Sequence, residues 1–370
     1  MKGLTHAAIA LAATLILGSH AQAADPVRIG LFAPLTGNVA ANGVRFREAV
    51  ELMVEQTNAK GGVEGRPIEL VVEDDRNSPR DAASIAQKLT GSSGIVLAIG
   101  TFSTTASLAA APIFAEAKIP QISPSSSHPD FTKQSPYQFR QNNTDDVLAP
   151  KNADIVVNKL KGKRIAIPYY QDDWGLFTAN STKEAIEKLG AEVVLIEAIA
   201  PNSKEFRPLV SKIKSLQPDA IFLAVHYQEA AILMKQLRQA GVDAPVGAPT
   251  PLTNPQFIEL AGKDAEGVVL HTIFFAGDPA KKAFTDAYQA KYGRLPDQWA
   301  ALAYDAAGVG IEAIRRVVQS GKPLTGEAVR EELDNGPAYP GVTGVTKYSR
   351  GNVDKEPTYI TIREGKYVLY

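Results

Sequence analysis

The sequence predicts an α/β protein made of two doubly wound lobes. From Val27 onward, strand-like and helix-like segments alternate with short joins, which is typical of βαβ units and mainly parallel sheets. The alternation restarts after Asn142–Thr144, and we place a boundary between two units there. The 370 residues suffice for both units, because a single hydrophobic core usually stops growing at roughly 250 to 300 residues.

The first unit has the pattern of one doubly wound half. Its first helix is predicted from Val50, Val54 and Thr57, which recur at helical spacing, and Gly61 and Gly62 end it. In chain order we expect a strand over 27–32, this helix over 44–58, a strand over 68–72, a helix over 79–89, a buried strand over 95–99, a helix over 107–117 and a strand over 119–122.

The second unit repeats the same order. Gly190 and Gly241 follow two of its helices at positions where a glycine commonly ends a helix. We expect a helix through 155 and 160, strands over 164–169, 192–196, 220–225, near 246 and over 267–272, and helices over 177–189, 206–216 and 229–240. Helices over 280–292, 300–319 and 326–335 and strands over 342–348, 358–362 and 367–369 complete the chain.

The first 23 residues have the features of a removable export signal. Met1-Lys2 gives a positive start, residues 7–17 form an apolar run, and Ala21–Ala23 is a small-residue cleavage site. The run is shorter than the roughly 20 residues of a membrane-spanning helix, which favours cleavage over anchoring. No cysteine follows the cleavage site to carry a lipid. We therefore predict a mature chain that begins near Ala24 and is free in a bacterial periplasm.

The composition excludes several kinds of partner and site. With 39 basic and 40 acidic residues, the net charge of -1 gives no reason to expect a nucleic-acid partner. Beyond the signal, no apolar run is long enough to insert into a membrane. The absence of cysteine excludes disulfides, thiolate metal sites and cysteine nucleophiles.

Hydroxyl side chains follow two neighbouring strands of the first unit. Ser103 and Thr104 come after the buried strand and open the next helix, where free N–H groups and the helix dipole favour an anion. Ser125, Ser126 and Ser127 follow the next strand and add further donors. Ser103 also fits a plain N-cap, and the serine run fits a surface turn. Because both groups lie at adjacent strand ends, we predict a carboxylate-binding site.

Six motifs mark the chain from end to end. They are VRIGLFAPLTG at 27–37, NAKGGVEGR at 58–66, DD at 74–75, GTFST at 100–104, IPQISPS at 119–125 and DAIF at 219–222. In this joint order they resemble the solute-binding proteins of branched-chain amino acid ABC importers. Each motif alone is weak, but the set spans essentially the whole mature chain.

The resemblance implies a type I periplasmic binding protein fold, with two lobes joined by three crossings and a ligand cleft between them. It places residues 24–143 and 273–345 in lobe one, and residues 144–272 and 346–370 in lobe two. Only the boundary near Asn143 also follows from the alternation of elements.

The resemblance also implies ligand contacts on both lobes. In the family, the loops that here contain Phe102, Ser103 and Ser125 bind the ligand carboxylate. Trp174 occupies the position of a family aromatic residue, and His226, at the end of a strand, occupies a second one. Each has a structural alternative: the tryptophan simply packs its own helix, and the histidine is an ordinary buried residue.

One departure from the family pattern concerns the ligand ammonium group. Where relatives commonly have an acidic residue to pair with it, this chain has Pro249. Because an unpaired buried charge is costly, either Asp172, Asp173 or Glu229 replaces that residue, or the ligand has no ammonium group. An aromatic or branched aliphatic acid therefore competes with leucine-like ligands. If no acidic residue replaces the missing counter-ion, we expect the acid to bind better than its α-amino counterpart.

A second departure lies in the first loop, where Asn42 replaces the usual aromatic residue and is included among the predicted ligand contacts. Arg45 and Arg47 follow it, and we interpret them as a solvated helix face rather than a second carboxylate clamp.

Enzyme motifs do not occur in the sequence. There is no nucleophile elbow, zinc-protease motif, P-loop or dinucleotide fingerprint, and the mature chain has three histidines, His128, His226 and His271. We expect no cofactor, no metal site and no catalysis, although Ser103 with His226 as base would be a conceivable nucleophile pair.

The prediction is an exported, monomeric solute-binding protein. It binds a small carboxylate-bearing ligand and delivers it to the membrane permease subunits of an ABC importer. Three alternatives stay open: binding of an amide or urea-like solute, a sensory ligand-binding module, and a secreted hydrolase.

Overall fold

Two separate β-sheets divide the molecule into two lobes. The structure, a computed structural model, describes residues 25–370, and the predicted export signal with its cleavage site lies outside these described residues. Within the described part of the chain, no helix is both long and apolar enough to cross a membrane. The predicted α/β class is confirmed, because both sheets are built mainly from parallel strands with helices between them.

The first lobe contains a five-stranded, fully parallel sheet of order β2-β1-β3-β4-β5. Its strands are β1 (Val27–Ala33), β2 (Ile68–Asp74), β3 (Ile95–Ile99), β4 (Gln121–Ser123) and β5 (Gln138–Arg140). The helices between them are α1 (Ala40–Ala59), α2 (Pro79–Gly91), α3 (Thr104–Glu116) and α4 (Asp130–Lys133). The sequence pattern missed β5, because three residues flanked by polar side chains give no hydrophobic periodicity.

The second lobe contains a seven-stranded sheet of order β14-β13-β10-β9-β8-β6-β7. Its parallel strands are β6 (Arg164–Tyr170), β7 (Glu192–Ile199), β8 (Ala220–Phe222), β9 (Val246–Ala248) and β10 (Val269–Thr272). The hairpin of β13 (Thr358–Arg363) and β14 (Lys366–Leu369) adds antiparallel to β10. Its helices are α5 (Asp145–Ala153), α6 (Asp173–Lys188), α7 (Arg207–Leu216), α8 (Tyr227–Gln239) and α9 (Pro255–Ala261).

Local turn chemistry ends several of these helices as predicted. Gly190 and Gly241 have φ angles of 81° and 75°, the left-handed conformation that glycine adopts without a Cβ penalty. Helix α5 continues directly into a π-helical segment, Asp154–Lys159. The helix predicted through 155 and 160 is therefore π-helical in this part.

After β10 the chain returns to the first lobe. Helices α10 (Lys282–Tyr292), α11 (Gln298–Gln319) and α12 (Gly326–Asn335) precede a two-stranded hairpin of β11 (Tyr339–Gly341) and β12 (Gly344–Thr346). Helix α11 is buried along most of its length and shares one hydrophobic core with the first sheet.

The third crossing lies later in the chain than the predicted boundary at 345/346. Tyr348 and Val353 belong to the core of the first lobe. The ring of Tyr348 lies 5.0 Å from that of Phe139, and its hydroxyl donates to Gln141 Oε1 at 2.9 Å. The second lobe therefore resumes only after Val353.

The first and third crossings are bonded to each other. Asn143 Nδ2 donates to the Lys355 carbonyl at 2.6 Å, and the Lys355 N–H donates to Asn143 Oδ1 at 2.9 Å. The buried Lys355 ammonium lies 3.8 Å from Asp305 Oδ2 on α11. These contacts hold together two of the chain segments that connect the lobes.

Candidate functional site

A small cavity lies between the lobes, where the carboxyl ends of strands from both sheets face each other. It encloses about 20 Å³ and is lined by Phe102, Ser103, Thr104, Ser125, Ser127, Asn142, Asp172, Trp174, His226, Thr250, Pro251 and Trp299. Seven of the eight predicted ligand contacts are therefore brought together. Their role in binding stays a prediction.

Asn42, the eighth predicted contact, does not line this cavity. It is fully buried on α1, and its Oδ1 accepts from Asn254 Nδ2 of the second lobe. Three residues later, Arg45 is also buried and pairs through Nε with Asp297 Oδ2 at 3.4 Å. The interpretation of Arg45 as part of a solvated helix face is wrong, because the packing of α1 against α11 covers it.

The serine loop, residues 123–127, is hydrogen-bonded within the first lobe. Ser125 Oγ donates to the carbonyl oxygens of Thr101 and Phe102, with the Thr101 contact at 3.2 Å. Ser127 Oγ donates to Asp145 Oδ2 at 3.0 Å. Since a serine hydroxyl has one proton, these two side chains have no further donor for a ligand as they stand.

Asp145 depends on this loop. Burial raises the pKa of its carboxyl to about 7, and the hydrogen bond from Ser127 opposes that rise. Ser127 therefore has a structural partner in addition to its position on the cavity wall.

Ser103 and the first turn of α3 keep donors available. Ser103 Oγ accepts the Ala106 N–H at 3.2 Å, so the N-cap alternative is confirmed. This bond uses a lone pair and leaves the hydroxyl proton of Ser103 unassigned. The Ser107 N–H donates to the Ser103 carbonyl at 3.0 Å, which leaves the N–H groups of Thr104 and Thr105 to favour an anion in front of the helix.

Five rings form the aromatic cluster of the cleft: Phe102, Tyr170, Trp174, His226 and Trp299. His226 is at its centre, with ring centroids 5.7 Å from Phe102, 4.5 Å from Tyr170 and 5.0 Å from Trp174. Trp174 is stacked on it at an interplanar angle of 18°. Trp299 packs edge-on against Phe102 at 5.2 Å.

Two members of the aromatic cluster have buried nitrogens without partners. The two ring nitrogens of His226 and the indole Nε1 of Trp299 have no hydrogen-bond partner among the described residues. Burial lowers the pKa of His226 to about 4, so its ring is neutral at neutral pH, with one donor and one acceptor nitrogen. The equally buried His271 differs in that its Nε2 lies 2.9 Å from Asn152 Oδ1, so that only its Nδ1 has no partner among the described residues.

Asp172 is the acidic residue that lines the cavity. Its Oδ1 accepts the Gly175 N–H at 2.7 Å and caps α6, while burial raises the pKa of its carboxyl to about 7. The other two candidates point elsewhere. Asp173 Oδ2 accepts from Thr105 across the cleft at 2.9 Å, and Glu229 Oε1 accepts the Asn202 N–H at 3.0 Å.

The lobes are in direct contact around this cavity. Tyr227 Oη of the second lobe donates to the Asn38 carbonyl of the first lobe at 3.0 Å, and the rings of His128 and Phe177 lie 4.5 Å apart. A volume of about 20 Å³ holds about one water molecule. A ligand of amino-acid size therefore requires separation of the lobes or rotation of Trp174.

Larger cavities lie on the outer surface of the first lobe. One of about 790 Å³ is beside Tyr304, and one of about 1050 Å³ is beside Tyr348. Among the described residues that line them, none has a buried polar side-chain atom without a partner. The cavity that contains the predicted contacts is therefore a better candidate for specific recognition than these two surface cavities.

Four residues on the cavity wall were not predicted: Asn142, Thr250, Pro251 and Trp299. Trp299 lies at the start of α11, almost two hundred positions after Phe102 in the numbering, and no spacing in the sequence connects them. Its only sequence signal is a tryptophan two residues after the capping Asp297.

Among residues 25–370, no group of three or more His, Asp or Glu side chains is arranged to hold a metal ion.

Comparisons with known proteins give consistent results. A sequence model of a family described as periplasmic binding protein matches residues 26–359. The chain is 30% identical over 367 residues to the Leu/Ile/Val-binding protein homolog 3 of Brucella melitensis, with 97% of each chain covered. It is 29% identical over 335 residues to the leucine-, isoleucine-, valine-, threonine- and alanine-binding protein of Pseudomonas aeruginosa, with 89% of each covered.

Two solved structures have a similar fold. One is a leucine-binding protein of Thermotoga maritima, with a TM-score of 0.86 at 27% identity, covering 93% of this chain and 97% of that one. The other is a branched-chain amino acid transporter substrate-binding protein of Streptococcus pneumoniae in complex with isoleucine. It has a TM-score of 0.86 at 28% identity, covering 92% of this chain and 97% of that one.

Proposed function

The chain belongs to the periplasmic binding protein family, and on that premise we propose that it binds a hydrophobic α-amino acid between its lobes. The observation that supports this ligand class most is that unpartnered hydrogen-bond donors and one carboxylate line the same cavity. His226 and Trp299 offer N–H groups, and Asp172 offers an acidic oxygen.

Each part of an amino acid has a counterpart in the cavity. The ligand carboxylate accepts from Trp299 Nε1, from His226 and from the first turn of α3. Asp172 is the counter-ion for the ammonium group, in place of the acidic residue that Pro249 replaces. The apolar side chain packs against Phe102 and Trp174. The binding specificities in the names of the relatives support the same class.

A carboxylic acid without an ammonium group is the second candidate. The pKa of Asp172, about 7, leaves this residue partly protonated at neutral pH, and a protonated carboxyl needs no cation. Thr250 and Pro251, which also line the cavity, are uncharged, and this too favours a ligand without an ammonium group.

Membership of the family supports a proposal for the cellular role. We propose that the mature chain begins near Ala24, acts as a monomer in the periplasm and delivers its ligand to the permease subunits of an ABC importer. The absence of a motif for catalysis in the sequence supports a binding function without turnover.

Calorimetry with matched ligand pairs tests the proposal. Leucine is compared with 4-methylpentanoate, and phenylalanine with 3-phenylpropanoate, on the parent protein and on Asp172→Asn. Asparagine is also a good N-cap, so this change removes the charge without removing the cap of α6. Asp146→Asn, at an exposed acidic residue outside the cavity, is the control.

We expect leucine to bind more tightly than its deaminated analogue. Asp172→Asn should weaken leucine binding by about tenfold or more, because a charge-assisted hydrogen bond is lost, and should leave 4-methylpentanoate unchanged. Leucine affinity of the parent should also rise from about pH 6 to about pH 8 as Asp172 ionises. Tighter binding of the acids, with no effect of Asp172→Asn, would favour the second candidate.

A further inference from the structure

A second cavity, the hinge cavity, lies where the second crossing joins the two lobes. It has a volume of about 420 Å³, within the range of small-molecule sites. Its wall is mostly apolar and comes from both lobes, with contributions from Phe274, Phe275, Leu295, Ile258, Ile360 and Tyr367. A molecule in this cavity therefore contacts both lobes at once.

Gln298 brings a buried donor to the hinge cavity. This residue is 1% exposed, and its Oε1 accepts from Thr272 Oγ1 at 2.8 Å and from the Ile273 N–H at 2.9 Å. A backbone N–H can only donate, so the Ile273 contact fixes which end of the amide is oxygen. Nε2 has no partner among residues 25–370. Buried N–H groups are rarely left unpaired, and an acceptor on a bound molecule would satisfy this one.

The charge beside Gln298 restricts the kind of acceptor. Asp297 also lines the hinge cavity, and its Oδ2 is paired with Arg45 Nε at 3.4 Å. The other charged residues of the wall, Glu259 and Lys366, are exposed and of opposite sign. An anionic acceptor would be repelled by this buried carboxylate, which already has a cation partner. A neutral carbonyl oxygen can accept from Nε2 without that penalty.

We propose that the hinge cavity is a second binding site, which takes a small, uncharged and largely apolar molecule through a carbonyl oxygen that accepts from Gln298 Nε2. Occupation of this site stabilises the arrangement of the lobes described here, because residues of both lobes form the wall of the cavity in that arrangement.

The hinge cavity and the ligand cleft share two structural elements. At the start of α11, Gln298 lines the hinge cavity and the next residue, Trp299, lines the cleft. In the segment after β9, Thr250 and Pro251 line the cleft, while Thr253 lines the hinge cavity. A molecule at the hinge should therefore raise the affinity of the cleft, and a ligand in the cleft should raise the affinity of the hinge by the same factor.

Binding at the hinge is tested by titrating the ¹⁵N-labelled mature protein with acetophenone, without any ligand for the cleft. Ethylbenzene, which has the same ring and no acceptor, is the matched probe. Ala276→Phe fills the hinge cavity and Gln298→Glu replaces its donor; Ala280→Phe and Gln289→Glu, both at exposed positions of the same lobe, are the controls.

Acetophenone should shift the side-chain amide signals of Gln298 saturably and bind several-fold more tightly than ethylbenzene. Ala276→Phe should abolish this binding, Gln298→Glu should weaken it about tenfold, and the controls should match the parent. Unshifted Gln298 signals, or equal binding of both probes, would overturn the site.

The coupling is tested by calorimetry of leucine with and without saturating acetophenone. We expect leucine to bind several-fold more tightly with acetophenone present, and this gain should be lost in Ala276→Phe. An unchanged or lower leucine affinity would overturn the coupling. If leucine does not bind at all, the proposed cleft ligand is wrong, while the acetophenone titration still decides the hinge site.

Discussion

The serine loop and the aromatic cluster both line the cleft, but their polar atoms are used differently. Ser125 and Ser127 already donate to acceptors within the first lobe. His226 and Trp299 are equally buried, yet their nitrogens have no partner in the described chain. The hydroxyl protons of Ser125 and Ser127 are therefore used within the protein, whereas the aromatic cluster has buried nitrogens that a polar ligand can bond.

This difference changes which residues should control affinity. A serine at a strand end is a natural candidate for binding, but its hydroxyl serves first to hold the loop. An aromatic residue with a polar atom combines apolar contact with a directed hydrogen bond. We infer that the aromatic cluster discriminates between ligands and that the serine loop mainly keeps the cavity wall in place.

The largest expected effect concerns stability in acid. His226 has a folded-state pKa of about 4, against about 6.5 in an unfolded chain, so only the unfolded chain takes up a proton between these values. The parent should therefore lose about 3 kcal/mol of unfolding free energy through this residue as the pH falls from about 6.5 to about 4. His226→Phe keeps a ring against Trp174 but cannot take up a proton. Its unfolding free energy should therefore fall by about 3 kcal/mol less than that of the parent over the same pH range.

Denaturant unfolding of both proteins at several pH values measures this difference. His271 behaves like His226, and Asp145, whose pKa is raised to about 7, acts in the opposite direction, but both are present in parent and variant. A stability difference that does not change with pH would show that His226 is not held neutral by burial.

Next in size is the loss of a structural hydrogen bond in the serine loop. Ser127→Ala removes a donor from the buried Asp145 carboxyl, and we expect it to lower the unfolding free energy by about 1–2 kcal/mol. Ligand affinity should change less than stability. Ser84→Ala, at an exposed serine on α2, should change neither. Ligand binding that falls tenfold in Ser127→Ala with unchanged stability would reverse the assigned roles.

The smallest expected effect is on the indole of the aromatic cluster. Trp299→Phe keeps an aromatic ring against Phe102 but removes the unpaired N–H. Affinity for the cleft ligand should fall by about 1 kcal/mol, roughly fivefold, with little loss of thermal stability, because no bond of the free protein is broken. An affinity equal to that of the parent would remove Trp299 from the recognition of the carboxylate.

The sequence predicted the architecture better than the site. Alternating patterns locate the central strands β1 and β3 because each forms a clear apolar run, whereas β5 and the boundary after Val353 depend on contacts between distant segments. The pattern also placed Ser103 and His226 at strand ends, where parallel sheets gather ligand groups.

What the sequence could not reveal is the hydrogen-bond partner of each group. Ser125 and Ser103 have similar positions in the sequence, each shortly after a strand. The Ser125 hydroxyl donates to a backbone carbonyl, whereas the Ser103 hydroxyl accepts from a helix N–H. Trp299 reaches the cleft only because α11 packs on the first sheet, which no local spacing encodes.

The central claim is that unpartnered nitrogens of the aromatic cluster bind the polar end of the ligand. The protein has two tryptophans, Trp174 and Trp299, so an ¹⁵N–¹H spectrum contains two indole signals, which Trp174→Phe assigns. On saturation with the tightest ligand of the calorimetric series, the Trp299 indole proton should move downfield as it gains an acceptor. A Trp299 signal that stays in place under confirmed saturation would contradict the account.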